Sequence, residues 1–230
     1  MKTNRTVWLI PLRTIIFGAL FPCAALLSGQ TLWAVGRWWP VLATGVNLAV
    51  IALLLALTRG QYGSFIGYVR GGTRPAVIVA WVTVTIVVGV GGMYLAGLIC
   101  YHTFPYLDAT TIQALPIWAV VACVVLLPLT TTLAEDGIYL GVINAADGRI
   151  SVTIASALFY AAQHSFLPFI PDPTFMVYRF MSFLPLTVIF TLWYRKRRNP
   201  LPIMAGHFVI NLATVAMLIG VVLSPDAFTR

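Results

Sequence analysis

Charged side chains are what this sequence has least of. Only nine per cent of its 230 residues are charged, and six are acidic. A soluble domain of that length needs far more polar surface to meet water, whereas 60 per cent of this chain is apolar, so lipid is the solvent that fits. Cysteine is also scarce. Cys23, Cys100 and Cys123 lie in apolar segments without metal-ligand spacing and read as small hydrophobes buried among helices. No HExxH pair, internal repeat, low-complexity tract or separately folding basic domain occurs. The formal charge of +8 is dispersed in short segments such as "RKRR" at 195–198, which carry topology information and give no nucleic-acid face.

What is present is a series of apolar runs. Spans are expected at about 10–28, 41–57, 75–99, 113–145, 150–166, 175–194 and 201–223, several of them near or above the roughly 20 residues that cross a bilayer as a helix. The predicted fold is an all-α polytopic membrane bundle, one integral domain over 1–230. The N-terminal run has the basic start of a signal peptide but no clear small-x-small cleavage site, and Arg13 interrupts it, so it reads as a retained first helix. The fourth span is too long for one straight crossing. Pro128 is expected to kink or divide it, leaving seven or eight segments.

Ten of the fourteen basic residues fall on one side if the N-terminus is inside: Lys2, Arg5, Arg59, Arg70, Arg74, Arg149, Arg195, Lys196, Arg197 and Arg198. Arg37 and Arg230 fall outside with Asp108, Asp172 and Asp226, and Asp147 sits in an inner turn. The bias predicts an N-in, C-out chain, with the cell membrane of a prokaryote as the expected location.

Ionisable groups at membrane depth cost a few kcal/mol each and usually face a cavity or one another. They are Arg13, Glu135, Asp136, His164, Arg179 and His207, with Asn211 as an uncharged companion; His102, in an outer loop, reads as solvated. His207 and Asn211 are four apart and share a helix face, as do Tyr160 and His164. At 1.5 Å per residue, Glu135 lies roughly 15 Å from the inner end of its helix. His164 lies about 21 Å above Arg149, and His207 and Asn211 about 10 and 16 Å beyond Pro200. Three helices therefore bring a carboxylate, two imidazoles and an amide near mid-depth of a layer about 30 Å thick. Asp136 is about 100° round the helix from Glu135. The pair reads as one carboxylate for the cavity and one to support it.

A carboxylate in a partly dry cavity suits general-base work near neutral pH. Beside a histidine it can take a proton from water and aim that water at a carbonyl, while a second histidine and an amide donate to the oxyanion. The chemistry this implies is peptide-bond hydrolysis within the membrane. The same histidines could instead simply bond between helices. Glu135, His164 and His207 could also form a His₂Glu zinc site with water as fourth ligand; the metal-free arrangement is preferred, and no cofactor is expected.

The stretches "AEDGIYLG", "LFYAAQH" and "NPLPIMAGHFVINL" resemble the three successive motifs of the CAAX protease and bacteriocin-processing (CPBP, or Abi) family of intramembrane proteases: EExxxR, FxxxH and HxxxN or HxxxD. The resemblance covers about 113–223. It implies Glu135 as the water-activating base working with His164, and His207 with Asn211 as the oxyanion site. Three positions depart from the pattern. Asp136 stands for the second glutamate, Tyr160 for phenylalanine, and Leu140 for the arginine that would neutralise the acids. Arg179 is the candidate substitute for that charge, although snorkelling to the outer surface is the alternative. The expected partner is a peptide or membrane-associated protein substrate reached from the inner side. A non-enzymatic scaffold, chaperone or bacteriocin-immunity protein is the competing reading, favoured by Leu140. A transporter is disfavoured, since no paired broken helices occur in corresponding halves.

Overall fold

A computed structural model of the chain describes residues 7–57, 62, 65, 73–103, 112–146 and 148–224. The expectations for Lys2, Arg5, Arg59, Arg70, Asp108, Asp147, Asp226 and Arg230 lie outside the described residues. Eight α-helices occur among those described, and no strand: α1 Leu12–Ser28, α2 Leu32–Gly36, α3 Trp39–Leu57, α4 Pro75–Tyr101, α5 Ile117–Ala145, α6 Ile150–Ala162, α7 Pro173–Arg197 and α8 Leu201–Leu223. Six helical stretches are long and apolar enough to cross a membrane, and all seven expected spans are helical. The protein is a polytopic helical membrane bundle.

The boundaries follow from local chemistry. Gly29 ends α1 at φ 65°, the left-handed position that glycine takes without a Cβ clash. Asp172 caps α7 by accepting from the Thr174 amide at 2.9 Å, with Pro173 opening the helix. Three basic residues, Arg195, Lys196 and Arg197, occupy the last turn of α7, where they meet the partial negative charge of its carbonyls.

Two expectations about span length are revised. Pro128 does not divide the fourth span: α5 runs unbroken for 29 residues, because a proline inside a helix removes one backbone bond and packed neighbours compensate for it. The fifth span is shorter than the others. α6 has 13 residues and then tightens into a 3-10 turn, Gln163–Phe166. Together they rise about 28 Å, close to a hydrocarbon layer, and the last turn is not α-helical.

At one end of the bundle the basic loops meet. Arg195 donates from Nε to the Gly148 carbonyl at 2.6 Å, Arg198 to Asn144 Oδ1 at 3.1 Å, and Asn199 to Thr73 Oγ1 at 2.8 Å. At the other end the Tyr101 and Tyr178 rings touch, and Phe21 stacks on Phe169.

α5 is the hub, packed against α3, α6, α7 and α8, while α4 lies outside against α7 and α8. Gly206 sets the closest approach between α4 and α8: a Cβ there would collide with Thr85 Oγ1. That contact fixes the height and rotation of the helix carrying His207. Of the cysteines, only Cys123 is buried; Cys23 is exposed on the bundle's outer surface and Cys100 half-buried, because these positions fall on lipid-facing sides of their helices.

Candidate active site

α5 enters the middle of the bundle with a run of polar residues in an otherwise apolar helix. Thr130, Thr131, Thr132, Glu135 and Asp136 are all buried. The threonine hydroxyls of 130 and 132 return to backbone carbonyls four residues earlier, so they stay satisfied at depth without a partner helix. The two carboxylates need more than that.

Glu135 is 1 per cent exposed and Arg13 wholly buried; Arg13 Nη2 donates to Glu135 Oε1 at 2.8 Å. The same guanidinium donates from Nη1 to Asn47 Oδ1 at 2.6 Å and from Nε to Gln163 Oε1 at 2.7 Å. Asn47 passes the network on by donating to Thr131 Oγ1 at 2.9 Å, and Tyr139 also donates to Gln163 Oε1, at 3.3 Å. The fixed fork of arginine suits such a three-cornered site, which a point charge could not fill.

The other oxygen of Glu135, Oε2, is buried without a hydrogen-bond partner among the described residues. It lies 3.7 Å from His207 Nε2. Asp136 approaches the opposite side of the same imidazole, with Oδ2 3.3 Å from Nδ1. Tyr160 completes that corner: its hydroxyl donates to Asp136 Oδ1 at 2.8 Å and sits 3.0 Å from His207 Nδ1. With the tyrosyl proton given to Asp136, the proton between these groups belongs on Nδ1 of His207. Both carboxylates thus reach one ring despite their angular separation. Glu135 lines the cavity, and Asp136 lies behind it.

His164 sits on the 3-10 turn after α6. Its Nδ1 faces the Tyr160 carbonyl at 2.9 Å, which makes Nδ1 the donor and leaves Nε2 as the basic nitrogen of a neutral ring. The ring stacks on Phe183 of α7, centroids 3.6 Å apart and planes 9° from parallel. Asn211 donates from Nδ2 to the His207 carbonyl at 3.1 Å and keeps its second N–H.

Glu135, Tyr160, His164, His207 and Asn211 all line one cavity of about 80 Å³, whose lining also includes the apolar Phe183, Leu186 and Ile210. That volume holds a few water molecules.

Arg179 does not neutralise the acids, nor does it snorkel outward. It lines the same cavity, lies over the Phe183 ring at 5.0 Å and donates from Nη2 to the Leu167 carbonyl at 2.8 Å. That carbonyl belongs to the point where the fifth span stops being helical, and a carbonyl freed at membrane depth requires such a donor. Leu140 is fully buried in the apolar core. His102 is exposed at the end of α4. No three His, Cys, Asp or Glu side chains among the described residues gather closely enough to hold a metal ion.

Sequence reading missed the use of Arg13, Asn47 and Gln163. The signal was present in each, a strongly polar group inside an apolar run. The partners were not, since Arg13 and Glu135 are 122 residues apart.

Residues 113–213 match the Rce1-like family, described as type II CAAX prenyl endopeptidase, the family that the three motifs resemble. No curated protein and no solved structure matches the chain.

Proposed function

We propose, on the premise that residues 113–213 are those of the CAAX prenyl endopeptidase family, that this protein is an intramembrane endopeptidase of the glutamate type. The observation that carries the reading is the unpartnered Oε2 of Glu135, a residue that lines one cavity with His164, His207 and Asn211. A water held between Glu135 Oε2 and His164 Nε2 loses its proton to the carboxylate as it attacks the scissile carbonyl. The oxyanion so formed receives the second N–H of Asn211 and, from a doubly protonated ring, the Nε2–H of His207. Glu135 then returns the proton to the leaving amine nitrogen. Asp136 and Tyr160 hold His207 by its Nδ1 edge, and Arg179, over Phe183, keeps the stacked His164 ring in place. The mechanism uses no metal or other cofactor.

The substrate is a peptide or membrane-associated protein. The chain sits in the cell membrane of a prokaryote with its N-terminus and basic loops inside, and the substrate is reached from that side. Profiling of protein termini in cells carrying the wild type or Glu135→Gln tests the activity. Termini that vanish in the variant support it; an identical set of termini removes it. A phenotype that survives simultaneous alanine substitution of Glu135, His164 and His207 in an inserted protein would return the assignment to a scaffold or immunity role.

A further inference from the structure

Leu140 leaves the acidic pair without the arginine of the motif, and Glu135 with Asp136 places two carboxylates side by side in the interior. We infer that Arg13, on α1 and outside the matched stretch 113–213, is the positioning residue that makes Glu135 competent as a base; this rests on the endopeptidase reading. Arg13 engages only one oxygen of the carboxylate, Oε1. It therefore decides which oxygen is left for chemistry, and the one left, Oε2, has no hydrogen-bond partner among the described residues and lies 3.7 Å from Nε2 of His207, with which Glu135 shares the cavity. It also holds the carboxylate in a fixed direction, because its other two nitrogens are anchored on α3 through Asn47 and on the turn after α6 through Gln163. The turn that carries Gln163 carries His164 next to it. One guanidinium thus ties the base to the segment bearing its partner histidine.

The charge balance points the same way. Burying a lone carboxylate at membrane depth is costly, and an adjacent second one compounds the cost. Asp136 has Tyr160 and His207 as partners; Glu135 meets His207 only at 3.7 Å, through Oε2, and its close ion pair among the described residues is the one with Arg13 at 2.8 Å. A charge absent from position 140 on α5 is supplied instead by α1.

The test uses full-length protein in lipid nanodiscs as wild type, Arg13→Lys, Arg13→Met and Glu135→Gln. The infrared difference spectrum of wild type minus Glu135→Gln isolates the Glu135 carboxylate band and needs no substrate. That band is expected to shift or vanish in Arg13→Met and to be altered in Arg13→Lys, whose single ammonium cannot span three acceptors. With a quenched fluorescent peptide that wild type cleaves and Glu135→Gln does not, kcat is expected to fall roughly 10²-fold or more in Arg13→Met. KM should stay within about twofold, and Arg13→Lys should recover part of the rate. Arg13→Lys retains the buried positive charge, which keeps the comparison available if Arg13→Met does not fold. A wild-type band and wild-type kcat in Arg13→Lys and in any folded Arg13→Met would overturn the inference. Absence of any peptide cleavage by wild type, with the infrared change intact, would instead remove the endopeptidase reading alone.

Discussion

α4 and α5 differ by two residues in length and have the same mean hydropathy over their most apolar stretch, 2.2, yet 17 per cent of that stretch is buried in α4 and 50 per cent in α5. Average apolarity therefore says that both can live in a membrane and nothing about which faces lipid. The distinction lies in the few polar residues. α4 carries no Asp, Glu, Lys, Arg or His before its terminal His102 cap, and its Val79 and Val87 are about two-thirds exposed. α5 carries two carboxylates, and their partners come from three other helices: Arg13 of α1, Tyr160 of α6 and His207 of α8. In a solvent as apolar as leucine, a helix gains its central place from polar contacts and close packing.

The comparison can be broken at four levels. The largest effect belongs to Glu135→Gln on α5, which should lower peptide turnover by about 10²–10⁴-fold while the protein elutes as the wild type does from gel filtration. A smaller loss that leaves bulk cleavage intact would mean that the polar centre of α5 is architectural. Asn211→Ala comes next. Removing one oxyanion donor should reduce kcat about 10²–10³-fold with little change in KM, read by steady-state kinetics on the same peptide.

The third level separates two adjacent glycines of α4. A Cβ on Gly92 would strike the Ser182 carbonyl oxygen of α7, whereas nothing lies within 4 Å of one on Gly91. Gly92→Ala should cost about 1–3 kcal/mol in thermal or denaturant unfolding in detergent. Gly91→Ala should be neutral or stabilise by up to about 1 kcal/mol. Equal responses would show that α4 does not pack as described. The smallest change is Val87→Leu, on the exposed side of α4, which should shift stability by no more than about 0.5 kcal/mol in the same unfolding measurement.

Much of the architecture could be read directly. Apolar runs mark the six long helices and the shorter α6, and the helical spacing of Tyr160 with His164 and of His207 with Asn211 places each pair on one face. What could not be read has physical reasons. The reach of Glu135 is one: helical angles fix where Cβ points, but two further torsions let a glutamate and an adjacent aspartate approach one imidazole from its two edges. Arg179 is another. Its position near a span end suggested water, yet the need there is a carbonyl at Leu167 that lacks a helical partner because α6, the fifth span, stops early. Arg13 is the clearest case. No local pattern connects a residue of the first span to one of the fourth, and only tertiary packing makes its three acceptors a set.

That long separation also orders biogenesis. The helix with the guanidinium leaves the ribosome well before the helix with its counter-ion, so α1 enters the bilayer carrying a charge that costs roughly 2.5–3.5 kcal/mol at mid-depth. It has no ion-pair partner until α5 follows. A chain interrupted before Glu135 should thus hold its first segment loosely, open to extraction or to surveillance by membrane proteases, and arrival of the fourth long apolar span is the event that locks it in.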